Sequence, residues 1–283
     1  MRQVELIEGL RSSALGFGCA PILGSVGASA ARRALDSAFD HGITHYDLAR
    51  SYGYGEAEKF VGKVFRQRRD KVVLSTKFGI EANWKAKILS PLKPLARSLK
   101  SEFKTREERV SKSMNIADRF HNRIVLNTAQ MLKNVDQSLR ALNTDYLDYL
   151  FVHEPVTTII NFDELYESAE MLKARGKIRG FGIAFYRTHK YLHQSYLEKL
   201  DILQFDNSPG AEGYVQSVSE RGKRSNIIFS PLKSGDNTLA PKAKLEKLFA
   251  DFPESVILCS MFREEHIKQN TELLRQSSIN VGN

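Results

Sequence analysis

The sequence predicts an α/β fold: a (β/α)8 barrel of the TIM type with a long basic insertion after its third strand. Three observations carry that expectation. Short apolar runs alternate with amphipathic stretches eight times along the chain. The runs are nearly continuous in apolar character, as in parallel strands covered on both faces, and do not alternate strictly. The length, 283 residues, is ordinary for one such barrel and gives a single domain over 1–283.

The expected strands, in order, are Ala14–Cys19, Ile43–Asp47, Val72–Lys77, Leu147–His153, Ile178–Ala184, Ile202–Asn207, Ile227–Pro231 and Val256–Ser260. Between them, Ala31, Ala34, Leu35, Ala38 and Phe39 fall on one helical stripe, with Gly42 as its stop. Leu132, Val135, Leu139 and Leu142 form a second stripe. Phe162, Leu165, Ala169 and Leu172 form a third, ended by Gly176. An open dinucleotide-binding sheet is the competing architecture. The pairs Gly16/Gly18, Gly53/Gly55 and Gly180/Gly182 lack the third glycine that opens a helix beneath a pyrophosphate, so they read as tight strand ends.

Between strand three and the next clear helix the chain runs over about 80–127, far beyond an ordinary βα loop. Eleven Lys and Arg stand there against five Asp and Glu, so this segment holds +6 of the chain's net +9. Pro91 and Pro94 interrupt it, and Leu95–Phe103 has helical character. Such a segment suits a substrate wall, an anionic substrate or a solvated face. No nucleic-acid module or aromatic-interleaved basic stripe accompanies it, so no nucleic-acid partner is expected. No apolar run reaches the length of a membrane span, and the opening residues lack the apolar stretch of a secretory signal; a cytoplasmic address is the expectation. Cys19 and Cys259 are expected to be two reduced, packed thiols, and no Cys/His cluster suggests a metal.

Four ionisable residues gather where barrel enzymes keep their chemistry, at the carboxyl ends of strands. Asp47, Lys77 and His153 each close a strand, and Tyr52 follows Asp47 in the loop. Each type suits carbonyl reduction. A carbonyl receiving hydride becomes an alkoxide and needs a proton. Tyr52 can give it; a nearby Lys77 ammonium is expected to lower the phenol pKa, with Asp47 holding that ammonium charged. His153 can donate to the carbonyl oxygen and orient it.

The run Gly42-Ile43-Thr44-His45-Tyr46-Asp47, then Ser51-Tyr52-Gly53 with Glu56, resembles the first signature of the aldo-keto reductase superfamily. Ser75-Thr76-Lys77-Phe78-Gly79, Leu142-Asn143-Thr144-Asp145-Tyr146-Leu147-Asp148 before His153, Gly176-Lys177-Ile178-Arg179, Gln204 and Ser230-Pro231-Leu232 continue the resemblance in order. The resemblance implies an oxidoreductase that moves hydride between a nicotinamide cofactor and an aldehyde, ketone or sugar carbonyl. Asp47, Tyr52, Lys77 and His153 then match the catalytic tetrad. It also implies that Gln204 bonds the carboxamide, Phe229 stacks on the nicotinamide, and Ser230 and Leu232 meet the pyrophosphate. Arg263, His266 and Asn270 match the adenosine end, and Arg263 favours NADPH, with NADH as the alternative.

The sequence also departs from that pattern. Ala184-Phe185 stands where the family has Ser-Asn, so a polar clamp on the carboxamide is missing, and Met261-Phe262 is bulky for the adenosine end. These departures keep a second class in play: a cofactor-binding scaffold or sensor of the same fold with little turnover.

Overall fold

In the computed structural model, which describes residues 1–83 and 121–279, eight parallel strands close into a barrel. In chain order the strands among the described residues are β1 (Gln3–Ile7), β2 (Leu10–Ser13), β3 (Leu15–Gly18), β4 (His45–Asp47), β5 (Val73–Phe78) and β6 (Ile80–Ala82). They continue with β7 (His121–Arg123), β8 (Leu147–His153), β9 (Ile178–Phe185), β10 (Ile202–Asp206), β11 (Asn226–Phe229) and β12 (Val256–Cys259). The barrel runs β3-β4-β5-β8-β9-β10-β11-β12 and closes through β12 against β3, where Ile257, Leu258 and Cys259 face Leu15, Gly16 and Phe17. Every expected strand is present, with ends shifted by at most two residues.

Among the described residues the helices are α1 (Ala28–Asp40), α2 (Ala57–Phe65), α3 (Thr128–Leu142), α4 (Phe162–Ala174), α5 (Tyr214–Arg221), α6 (Pro241–Asp251) and α7 (Glu264–Ile279). Local chemistry sets their ends. The Asn127 side chain caps α3 by accepting from Gln130 N at 2.9 Å, and Asn143 ends it in the left-handed region, which asparagine tolerates. Pro241 opens α6, where a missing N–H costs nothing. The expected stripes face inward: Ala31, Ala34, Leu35 and Ala38 are buried on α1, and Phe162, Leu165, Ala169 and Leu172 on α4. On α3 the buried stripe is Met131, Val135, Leu139 and Leu142, with Leu132 only half-buried.

Two features depart from the simple eightfold alternation. The antiparallel pair β1–β2 precedes the barrel and lies across its amino end, where Ser13 N donates to Thr44 Oγ1 at 2.9 Å and Val4, Leu6 and Leu10 are buried. The connection from β9 to β10 holds no α-helix, only 3-10 turns at Arg187–Leu192 and Leu197–Lys199. A cavity of about 640 Å³ opens there on the outer barrel face, floored by Phe185, Leu203 and Phe205.

Of the insertion expected over 80–127, the described part is the antiparallel pair β6–β7 and the approach to α3. The Leu95–Phe103 stretch and most of the basic charge lie outside the described residues. Cys19 and Cys259 are free and buried, as expected.

Candidate active site

Strand direction decides where the chemistry collects. Asp47 is the last residue of β4, Lys77 the penultimate residue of β5 and His153 the last of β8, and these three strands are consecutive neighbours in the barrel. The chain then turns through Tyr52–Gly55, where Gly53 has φ +59° and a Cβ would stand 2.8 Å from the Ile22 carbonyl. That glycine lets the loop carry Tyr52 back over the barrel mouth.

Lys77 Nζ lies 2.6 Å from Asp47 Oδ2, donates to the Leu48 carbonyl at 2.8 Å, and reaches the Tyr52 hydroxyl at 3.4 Å. The Tyr52 and His153 rings meet edge to face, with centroids 5.9 Å apart. Asp47, Lys77 and His153 are 4%, 3% and 6% exposed, so the ion pair and the imidazole are shielded from water. All four predicted tetrad residues are brought together.

One electrostatic expectation is corrected. Burial, reinforced by the carboxylates of Asp47 and Glu154, pushes the Tyr52 phenol well above its ordinary 10, where a lowering by Lys77 was expected. The Lys77 ammonium is matched at contact by Asp47, so Tyr52 faces a nearly neutral pair, and desolvation of a phenolate wins. Tyr52 therefore holds its proton firmly. Burial, then the positive charges of Lys77, Arg123 and His121, keeps His153 well below 6.5, so it is a neutral imidazole with one N–H to give.

Beneath the tetrad runs a buried polar column that sequence reading missed. Ser75 Oγ donates to Asp47 Oδ1 at 3.0 Å and lies 3.5 Å from His45 Nε2, while His45 Nδ1 is 3.3 Å from Ser12 Oγ. Burial lowers His45 to about 4, so it stays neutral. A single directed arrangement satisfies the column: Ser12 O–H to Nδ1, Nε2–H to Ser75, and Ser75 O–H to the Asp47 carboxylate. The only available signal was that His45 and Ser75 fall on the same side of their strands as Asp47 and Lys77.

Glu58 was missed as well. Glu56, which belongs to the signature run, is exposed at the start of α2. Glu58, 1% exposed, pairs with Arg50 Nη1 and accepts from Thr76 Oγ1 at 2.7 Å, and Arg50 N donates to the Lys77 carbonyl at 3.2 Å. This cluster ties the loop between Asp47 and Tyr52 to β5. Its signal was helical spacing, since Glu58 shares the buried face of α2 with Val61 and Phe65.

The expected cofactor residues divide. Gln204 stands at the mouth on β10, 1% exposed, and its Nε2 donates to Asp47 Oδ1 at 2.9 Å. Its Oε1 is buried with no partner among the described residues, as is the Nδ2 of Asn207 beside it. An unmet buried polar atom costs about 1–3 kcal/mol. An open acceptor and an open donor suit a carboxamide, so these residues fit a nicotinamide. Phe229, half-buried at the end of β11, meets Tyr186 edge to face at 5.4 Å. Ser230 adopts φ +54°, and Ser208 Oγ lies 2.7 and 2.6 Å from the Pro231 and Ser234 carbonyls, so the Ser230–Leu232 turn is held while Leu232 projects at 41% exposure.

Arg263 and His266 are exposed at the start of α7, whose first turn also carries Glu264 and Glu265. Asn270 is half-buried and its Nδ2 already lies 3.2 Å from the Met261 sulfur. Phe262 packs edge-on against Phe17 at 5.2 Å. The departure at Ala184-Phe185 does not block the mouth: Phe185 packs on Phe205 and His193 under the 3-10 segment.

Comparison with known proteins follows the same lines. Residues 14–208 match the Aldo/keto reductase family. The chain belongs to that family. Over 206 residues it is 30% identical to the uncharacterized oxidoreductase YcsN of Bacillus subtilis, covering 69% of this chain and 58% of that protein. A second Bacillus subtilis relative, the aldo-keto reductase YhdN, is 29% identical over 182 residues. This alignment covers 62% of this chain and 44% of YhdN, so the chain spans about half the length of these two relatives. It is 27% identical over 273 residues to pyridoxal 4-dehydrogenase of Microbacterium luteolum, covering 88% of this chain and 75% of that one. Among solved structures, a putative aldo-keto reductase from Pseudomonas aeruginosa superposes with a TM-score of 0.70 at 20% identity, covering 98% of this chain and 94% of that one. An aldo-keto reductase from Klebsiella pneumoniae in complex with NADPH superposes at 0.66 and 21% identity, covering 97% and 90%. At that identity these two structures show a shared fold. Among the described residues no helix is long and apolar enough to cross a membrane.

Proposed function

We propose that the chain is an NADPH-dependent carbonyl reductase in which Tyr52 protonates the carbonyl oxygen of a small aldehyde, ketone or sugar. The observation that carries this reading is the buried contact of Lys77 with Asp47 and Tyr52 beside His153. Bound at the mouth, the cofactor supplies the hydride. Gln204 and Asn207 would hold its carboxamide, Phe229 its ring, the Ser230–Leu232 turn its phosphates, and Arg263, His266 and Asn270 its adenosine end. The structural likeness to the NADPH complex of the Klebsiella enzyme supports that choice of cofactor.

Within this site His153 donates its N–H to the carbonyl oxygen and aligns it. Tyr52 passes its hydroxyl proton to the same oxygen as negative charge develops there. Lys77 Nζ, already within reach of the hydroxyl, donates to the phenolate oxygen left behind, and Asp47 keeps that ammonium in place. With its pKa raised, Tyr52 carries the proton that reduction consumes, whereas alcohol oxidation would need the phenolate first. Relatives named pyridoxal 4-dehydrogenase and L-glyceraldehyde 3-phosphate reductase support carbonyl-bearing small molecules as the substrate class.

The test is fluorescence titration of the protein with NADPH and NADH side by side, followed by a carbonyl panel. Tighter NADPH binding that Arg263→Ala weakens by about tenfold, without change for NADH, supports the assignment, as a charge-assisted phosphate contact is worth that much. Binding without turnover of any carbonyl would turn the reading to the scaffold.

A further inference from the structure

We infer that the short hairpin β6–β7 is a positioning element of the active site, holding the Tyr52 and His153 loops in register through His121 and Arg123. The inference rests on the proposed roles of Tyr52 and His153 and assigns the hairpin a task in that same chemistry.

The hairpin grows directly out of the strand that carries Lys77. Two residues after Lys77 the chain turns at Gly79, with φ +113°, where a Cβ would be strained and would stand 3.1 Å from the Leu126 side chain. It then enters β6, and β7 returns beside it with Ile80 opposite Arg123, Glu81 opposite Asn122 and Ala82 opposite His121. Ile124 N donates to the Gly79 carbonyl at 3.0 Å and closes the base of the pair.

From this platform two side chains reach the other catalytic loops. His121 Nε2 lies 3.2 Å from the carbonyl oxygen of Ser51, the residue before Tyr52. Arg123 Nη1 donates to the carbonyl of Glu154, the residue after His153. The Ser51 carbonyl lies in the peptide plane that leads into Tyr52, and the Glu154 carbonyl fixes the main chain of the residue that follows His153, so each bond restrains backbone beside a catalytic side chain. Glu154 has φ +44°, a conformation a glutamate holds only when its surroundings impose it. The Arg123 bond, strengthened by the guanidinium charge, is one such constraint, and the Glu154 N–H to the Ala184 carbonyl at 2.7 Å is another. Two three-residue strands have little stability of their own. Lys77, Tyr52 and His153 are therefore linked in a triangle with the hairpin as one side: by covalent continuity to Lys77, by His121 to Tyr52 and by Arg123 to His153. The positive charge of Arg123 also helps keep His153 neutral, as a hydrogen-bond donor to a carbonyl needs no charge.

The experiment compares the parent protein with His121→Ala, Arg123→Ala, Arg123→Lys, Arg123→Gln and Tyr52→Phe. The readouts are kcat, KM, NADPH affinity by fluorescence, thermal midpoint and the solvent deuterium isotope effect on kcat. We expect each alanine variant to lose about tenfold in kcat, because displacement by a fraction of an ångström slows a proton transfer that depends on alignment. NADPH affinity and thermal midpoint stay at the parent values, since the proposed cofactor residues lie on β10, β11, α7 and the turns beside them. The solvent isotope effect rises as proton delivery from Tyr52 becomes slower, and Arg123→Lys recovers most of kcat. Unchanged kcat overturns the inference, as does a loss in kcat matched by losses in NADPH affinity and thermal midpoint with no change in isotope effect. Should Arg123→Ala fail to fold, the lysine and glutamine variants decide on the same readouts. Tyr52→Phe separates the two levels: full turnover there removes the proposed mechanism and this inference with it. A dead Tyr52→Phe beside fully active His121→Ala and Arg123→Ala removes the hairpin role alone.

Discussion

Replacing Glu58 by alanine should damage this protein more than removal of any exposed acid, by an amount the structure allows one to work out. Glu58 is buried, accepts from Thr76 Oγ1 at 2.7 Å, and neutralises Arg50, whose side chain is 16% exposed. Its removal leaves a mostly buried guanidinium with Gln137 Oε1 at 3.0 Å as its remaining side-chain partner among the described residues. Breaking such a pair costs about 3–5 kcal/mol. For a chain of 283 residues the unfolding entropy at about 2.1 cal/mol/K per residue comes to about 0.6 kcal/mol/K, so the midpoint should drop by about 5–8 °C. Thermal unfolding followed by circular dichroism reads that shift. Arg50→Ala in the Glu58→Ala background should recover part of it, because the uncompensated charge is then gone. Turnover should fall too, as Arg50 N anchors the Tyr52 loop to the Lys77 carbonyl at 3.2 Å. A Glu58→Ala midpoint within about a degree of the parent, or a double variant worse than both singles, would refute the reasoning that this ion pair holds the loop.

Two pH predictions follow from burial. His45 titrates at about 4 in the folded protein against 6.5 for the free side chain, so as pH falls through 6.5 the unfolded chain takes up a proton that the folded one refuses. Stability from this group is complete above pH 6.5, is lost between 6.5 and about 4, and amounts to about 3 kcal/mol; urea midpoints should show a shallower pH dependence in His45→Gln than in the parent. Tyr52, raised above 10, should stay protonated through that pH in the cofactor-free protein. Ultraviolet difference titration of the parent against Tyr52→Phe checks this, and a tyrosinate signal specific to Tyr52 below pH 10 would contradict it.

Much of this molecule was readable because the information was local. Eight apolar runs gave the barrel strands within two residues, and strand-end placement brought Asp47, Lys77 and His153 into one cluster. What escaped depends on partners distant in sequence. Ile7-Glu8-Gly9 between two short runs gave no hint that β1–β2 would cover the amino end. The run from Arg187 to Lys199 holds four aromatic or imidazole rings, with Leu192 and Leu197 among them, and looks like a helix-length connection. It folds as 3-10 turns, with Tyr196 stacked on Phe162 at 4.1 Å and its hydroxyl 2.6 Å from His193 Nδ1. Glu58 was overlooked although its helical spacing with Val61 and Phe65 was visible, because its partners Arg50 and Thr76 meet it only in the folded chain. The sign of the Tyr52 shift was misjudged because the sequence showed a nearby lysine but not that Asp47 would stand 2.6 Å from it. The departure at Ala184-Phe185 showed in sequence as a missing polar clamp, but not that Phe185 would pack on Phe205 and His193.

Tyr52 as the proton donor is the centre of the proposed chemistry. The direct measurement is single-turnover oxidation of bound NADPH by a saturating carbonyl substrate in the parent and in Tyr52→Phe, with cofactor affinity measured on the same samples. Loss of general acid catalysis predicts a rate lower by about a thousandfold with NADPH affinity unchanged. A Tyr52→Phe protein that oxidises NADPH at the parent rate would contradict the account.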